Sequence, residues 1–191
     1  VSDRREVFDG LYRTDPDPWG YETSLYERDK YRTTLAALPN EHYLSTLEIG
    51  CSIAVLGELL ALRSGRYVGV DVSPVAADVA ARRLADVPGA EIVVGEVPED
   101  WPDGRYDLIV LSEVLYFLSA PEIAELAKHV ARDLVPGGDC VIVNWLGECD
   151  TDLDGDEAGQ LFLDELRLHG LVQLKHDYLH PRYRLTVVRL G

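Results

Sequence analysis

Gly50 and Asp71 stand 21 residues apart, each closing a short β-rich run, Thr46–Ile49 and Tyr67–Asp71. The carboxyl ends of such runs border the crevice in which open α/β sheets bind ligands. A glycine there lets the backbone approach a ligand closely, and the amides opening the next helix can face it. A carboxylate at Asp71 can accept hydrogen bonds from both ribose hydroxyls of an adenosine. The alternatives are a plain strand-to-helix junction at Gly50 and a capping role for Asp71, since DVSP also reads as a turn with a cap. The next run ends in GEVPEDWP, where Glu96 could take the exocyclic amine of adenine and Val97 could pack its ring, or Glu96 could be an ordinary loop carboxylate. Ser52 and Ala54 occupy places where a nucleotide-binding turn usually repeats its glycines, and a dinucleotide fingerprint needs Gly-x-Gly-x-x-Gly where this chain offers only Gly50 and the distant Gly57, which disfavours a nicotinamide or flavin enzyme. Serine and alanine preserve close approach only where φ is negative. The expectation is therefore a turn built on Gly50 alone, with Ser52 adding a hydroxyl contact and Ala54 the departure most damaging to binding.

A fourth run, Tyr106–Leu111, leads into Ser112, Glu113, Val114, Leu115 and Tyr116. Glu113 and Tyr116, three apart, share a face if a helical turn begins there. A carboxylate or phenol so placed can take a proton from a nucleophile, or Glu113 can cap the turn or orient a cationic group. Asn144 and Trp145 follow the fifth run, Cys140–Val143, and suit a sugar: a polar contact beside an aromatic platform. The loop DTDLDGDE matches the opening of a calcium loop, but its twelfth position is Leu161 rather than glutamate, so an acidic helix start or an attraction for a cationic acceptor explains it better. The five histidines lack ligand spacing, so no metal is expected, and no Gly-x-Ser-x-Gly elbow marks a hydrolase.

These residues need elements to hold them. The β-rich runs alternate with helices predicted over Val55–Arg63, Pro74–Ala85 and Pro121–Asp133, the signature of a parallel α/β sheet. Ser73 is a good N-cap for the second; Ala120 is a poor one for the third. After a polar loop come a helix over Gln160–His169 and two runs, Leu171–Tyr178 and Tyr183–Leu190, close enough to form an antiparallel hairpin. The first forty residues read as a helical extension containing DPDPWGY. At 191 residues, 47% apolar and 27% charged, the chain is predicted to fold as one domain over residues 1–191, with residues 1–44 as a helical lid on a core of 45–191. With no apolar run of about 18 residues and no signal-like start, a cytoplasmic protein without membrane contact is expected. The odd count of three cysteines indicates reduced thiols, and a net charge of −16 argues against a nucleic-acid partner.

Taken together, LEIGCS, VGVDVS, GEVPE, YDLIVLSEVLYFL and LVPGGDCVIVNW resemble, in order and spacing, the motifs of the class I S-adenosylmethionine-dependent methyltransferases. More narrowly, RTDPDPWGYETSLYERDKYRTTLAALP, LSEVLYFL and GDEA are similar to the nodulation protein S group, which N-methylates a deacetylated chitooligosaccharide. The resemblance implies a doubly wound, Rossmann-like seven-stranded sheet of order 3-2-1-4-5-7-6 with its last strand antiparallel. It implies S-adenosyl-L-methionine as cofactor and a small-molecule or oligosaccharide acceptor, and leaves the oligomeric state open. Gly50 and Ser52 would meet the methionine part and Asp71 the ribose, with Val72 and Ser112 beside them, while Glu96 and Val97 would face adenine. Arg28 would clamp the cofactor carboxylate, with Arg32 as its competitor. Trp19, Tyr21 and Tyr31 would form an aromatic lid or serve as packing anchors, and Glu113 would act as base or hold the cofactor's ammonium.

Overall fold

The computed structural model describes residues 3–170 and 172–191; Leu171, the predicted start of the sixth strand, lies outside them. Seven strands form the sheet: β1 (Tyr43–Ile49), β2 (Ser64–Asp71), β3 (Ala90–Val94), β4 (Tyr106–Ser112), β5 (Leu134–Trp145), β6 (Val172–His180) and β7 (Tyr183–Leu190). Their order is β3-β2-β1-β4-β5-β7-β6, as expected. β7 alone runs against the others, pairing antiparallel with both β5 and β6. The strand order reverses between β1 and β4, which opens a crevice above their carboxyl ends.

Helices α1 (Asp3–Thr14) and α2 (Leu25–Ala37) form the N-terminal extension, followed by α3 (Val55–Ala61), α4 (Pro74–Arg83), α5 (Ala120–Asp133) and α6 (Gly155–Arg167). The central strands are apolar on both faces because helices cover both. Ile109, Leu111 and Ile142 face α5 and α6, whereas the alternate residues Leu108, Val110, Val141 and Val143 face Tyr31 of α2 and Leu56 and Leu60 of α3. Among the described residues no helix is long and apolar enough to cross a membrane.

Several element boundaries depart from expectation, and three of the departures have a plain local reason. α5 starts at Ala120 because Ser119 precedes it and binds Glu122 through both its amide and its hydroxyl, 2.7 and 2.6 Å away. α6 starts at Gly155, not Gln160: Asp154 caps it by accepting from the amides of Asp156 and Glu157, both at 2.9 Å. Its first turns carry two glycines for packing: Gly155 sits against the Trp145 carbonyl and Gly159 against Asn144, where a Cβ would not fit. β5 is longer than expected because a register shift between Tyr106 and Leu108 absorbs the Pro136–Gly138 turn sequence into the ladder.

One packing detail concerns Gly57. It lies on α3 against the buried pair Tyr67 and Glu48, whose side chains hydrogen-bond to each other. A Cβ at 57 would collide with the Tyr67 hydroxyl and come within 2.9 Å of Glu48 Oε2. Burial pushes the Glu48 carboxyl up to about 8.

Candidate functional site

A cavity of about 470 Å³ occupies the crevice, roofed by α1, α2 and the segment between them. That size falls in the range of about 300–1,000 Å³ typical of small-molecule sites. Of the residues singled out from sequence, Trp19, Tyr21, Gly50, Ser52, Asp71, Val72, Glu96, Val97, Ser112, Glu113, Tyr116 and Trp145 line it.

The turn after β1 is not built on Gly50 alone. Gly50 adopts φ +73°, but Ser52 and Ala54 also lie in the left-handed region, at +51° and +57°. Each costs about 1–2 kcal/mol relative to a glycine-like backbone. The twist at Ser52 accompanies a hydrogen bond from its amide to Asp71 Oδ2 at 2.8 Å, and its hydroxyl meets that of Tyr12 at 2.5 Å. Ala54 is fully buried beneath the turn and does not line the cavity.

Asp71 does not cap α4. Ser73 does, accepting from the Ala76 amide, while Asp71 Oδ1 accepts from the Ser73 amide at 2.9 Å. Both carboxylate oxygens are thus oriented by backbone amides, and each keeps further accepting capacity. Burial pushes the Asp71 carboxyl up to about 6, against the opposing pull of those two amides. α1 is tied across this half of the cavity. Arg4 pairs with Glu96 at 3.2 Å and Glu122 at 2.7 Å, and Ser73 Oγ donates to Asp9 at 2.5 Å. Trp19 forms ring contacts with Tyr12 at 5.6 Å and Tyr21 at 5.7 Å. Tyr31 is buried in the core instead, so Tyr12 and Phe8 stand where it was expected in the aromatic roof.

The other half centres on Glu113, a non-glycine residue at φ +57°. A 3-10 turn over Leu115–Phe117 does begin there, and it brings the Tyr116 hydroxyl to donate to Glu113 Oε2 at 2.9 Å. The same oxygen accepts from the Trp145 amide at 2.7 Å, and Oε1 accepts from Lys30 Nζ at 2.6 Å. Burial and Glu113 together push the Tyr116 phenol up, so it remains a proton donor. Lys30, 3% exposed, also pairs with Glu27 at 2.9 Å. Burial works against its ammonium, but Glu113 and Glu27 outweigh that and hold its pKa above the ordinary lysine value.

Besides Tyr31, neither arginine considered for the carboxylate clamp nor the predicted sugar contact Asn144 is brought to this cavity. Arg28 is exposed and does not line it; neither does Arg32, whose nearest charge partner is the exposed Asp29 at 3.7 Å. Glu27, Lys30, Tyr31 and Thr34 form the buried face of α2 at spacings of three, four and seven, and this turns Arg28 and Arg32 away. Asn144 is buried under α6, donating to the Gly155 carbonyl at 2.9 Å, so it joins β5 to that helix.

The match to known proteins agrees with this geometry. A family model described as a methyltransferase domain matches residues 47–140. A solved structure from Pseudomonas syringae, named provisionally as a methyltransferase, is 31% identical, with 87% of this chain and 99% of that one covered and a TM-score of 0.76. The chain belongs to the class I S-adenosylmethionine-dependent methyltransferases. Among curated relatives of this methyltransferase, nodulation protein S of Rhizobium tropici is 34% identical over 129 residues, covering 65% of this chain and 53% of that protein. The chain thus spans little more than half the length of that relative. The fold of the N-methyltransferase NodS from Bradyrhizobium japonicum WM9, solved with S-adenosyl-L-homocysteine, superposes with a TM-score of 0.84 at 21% identity over the whole of both chains.

Sequence reasoning about this methyltransferase missed Lys30, Glu27, Tyr26 and Arg182 in the cavity wall. The signal for two of them was present: charged residues at positions 27 and 30 share a helical face with the apolar-facing Tyr31 and Thr34. Arg182 sits in the hairpin turn, its guanidinium 3.5 Å from the Tyr26 ring centre, a contact no local pattern announces.

Proposed function

We propose that this chain carries an N-methyltransferase activity, with the free amine of a deacetylated chitooligosaccharide as the leading acceptor. The observation that carries this reading is the position of Glu113, a hydrogen-bonded carboxylate at the junction of an adenosine-type half and an aromatic, acidic half of one cavity. The residues present fit S-adenosylmethionine: Asp71 has spare acceptor capacity for ribose hydroxyls, Glu96 and Val97 border the place for adenine, and the Gly50–Ser52 turn is open to the methionine part. Phe8, Tyr12, Trp19 and Tyr21 cover it from the N-terminal segment. When bound, the cofactor supplies a methyl group already activated on a sulfonium.

What remains for the chain is alignment. Glu113 accepts three hydrogen bonds, from Lys30, Tyr116 and the Trp145 amide, which leaves its carboxylate one accepting direction. That direction suits an N–H of a neutral amine, so Glu113 and Tyr116 act by holding the nucleophile, and the proton released on methylation passes to water. Trp145 offers the face on which the terminal sugar ring rests.

The test compares methyl incorporation into a chitooligosaccharide with one free terminal amine and into its fully N-acetylated form. Incorporation only into the free amine is expected. Calorimetric binding of the cofactor without incorporation would redirect the acceptor assignment to another small molecule, and no binding of the cofactor or its demethylated product would overturn the reading altogether.

A further inference from the structure

Ring side chains continue outward from the cavity mouth along the outermost strand. Trp145 and Tyr26, both in the cavity wall, lie 6.2 Å apart, and Tyr26 is 6.1 Å from both His180 and Tyr183. His180 stacks on Tyr183 at 4.6 Å, Tyr178 follows 6.4 Å beyond His180, and His176 follows 6.4 Å beyond Tyr178. The regularity has a backbone cause. Positions 176, 178 and 180 alternate along β6, so they share one face and recur at about 6.8 Å, two residues of an extended strand. That face is the one carrying Tyr183, Leu185 and Val187, their cross-strand partners. β6 is the edge of the sheet, and Tyr178 is 39% exposed. At the inner end of the row the Tyr26 hydroxyl is buried with no hydrogen-bond partner among the described residues.

We propose that this row is an extended acceptor subsite that carries the remaining sugar units of an oligosaccharide whose reacting unit occupies the cavity. The inference rests on the acceptor reading above and deepens it. The faces of the tyrosine and tryptophan rings bear a negative potential that attracts the polarised C–H face of a pyranose. Platforms repeating along a line match a linear polymer of rings; the row starts at Trp145 in the cavity wall, and Tyr26, with the Arg182 guanidinium over its ring, joins it to the rings of the hairpin. A second protein chain would instead use the free backbone edge of β6, since an edge strand recruits partners through its unpaired amides and carbonyls.

The test uses Tyr178→Ala and the double variant His176→Ala/Tyr178→Ala, both at positions away from the cavity. Calorimetry measures binding of a tetrasaccharide, free-amine and fully acetylated, and of glucosamine. The wild type should bind the tetramers more tightly than the monomer, and Tyr178→Ala should raise the tetramer Kd about tenfold, roughly the worth of one aromatic contact. Glucosamine binding and kcat at saturating tetramer should stay unchanged. Equal tetramer affinity in wild type and variants, wild-type affinity independent of length, or a change in sedimenting mass in the variants would each overturn the proposal. Length-dependent binding without methylation would uphold the row and overturn the amine-acceptor reading; methylation without length dependence would do the reverse.

Discussion

In the half of the cavity above β1 and β2, the key carboxylate is oriented by backbone amides: Asp71 is fixed by the N–H groups of Ser73, two residues on, and of Ser52, 19 residues back in the turn after β1. In the half above β4 and β5, the key carboxylate is held, besides its neighbour Tyr116, by groups far along the chain. Glu113 meets Lys30, 83 residues away, and the Trp145 amide, 32 residues away. The first half is a property of the strand-turn-helix units themselves. The second exists only once α2 has docked, so it depends on a buried ion pair that has no local substitute.

The sharpest way to break that comparison is Lys30→Met. It strands Glu27 and Glu113 without their counter-ion, and removing one partner of a buried pair typically costs about 3–5 kcal/mol. Chemical denaturation should show a loss of that order, with Lys30→Met/Glu113→Gln recovering part of it; a loss below about 1 kcal/mol would mean that the second half stands without its ion pair. Asp71→Ala should act on binding more than on folding, raising the cofactor Kd about a hundredfold, in line with losing charged hydrogen bonds. The same carboxylate sets a pH dependence. Its ordinary range lies below 4, burial raises it to about 6, and protonation removes accepting capacity, so cofactor affinity should fall as pH drops through about 6. Titration calorimetry at a series of pH values checks this, and Asp71→Asn should flatten the profile. Arg28→Ala should do least: within twofold in cofactor Kd and about 0.5 kcal/mol in stability, as for an exposed residue without partners in the cavity. A tenfold loss would restore the clamp to Arg28.

The same contrast explains what could be read from the sequence. The antiparallel hairpin and the places of Gly50, Asp71, Glu96 and Glu113 follow from local patterns at strand ends, and those residues do line one cavity, whereas the strand order follows from the resemblance to the methyltransferase motifs. Arg28 was misplaced because composition shows that α2 is charged but not which way it faces; the face is decided by Tyr31 and Thr34 entering the core. Asn144 was misplaced because adjacency to Trp145 hides the alternation of a strand, which sends one side chain to the cavity and its neighbour under α6. The left-handed turn at Ser52 and Ala54 was legible as a risk but not as a fact, since small residues tolerate both conformations of the loop better than large ones do.

Gly57 lies two residues past the place where a dinucleotide loop begun at Gly50 would carry its third glycine, and here it makes room for the Tyr67–Glu48 pair. Positions 48, 57 and 67 are therefore coupled through one packing contact and one hydrogen bond. A lineage that enlarges residue 57 must shrink or reorient residue 67 in the same step, and the polar character of residue 48 then loses its reason to persist. Substitutions at these three sites should travel together through descent, although the residues come from two strands and a helix and none of them touches the cavity.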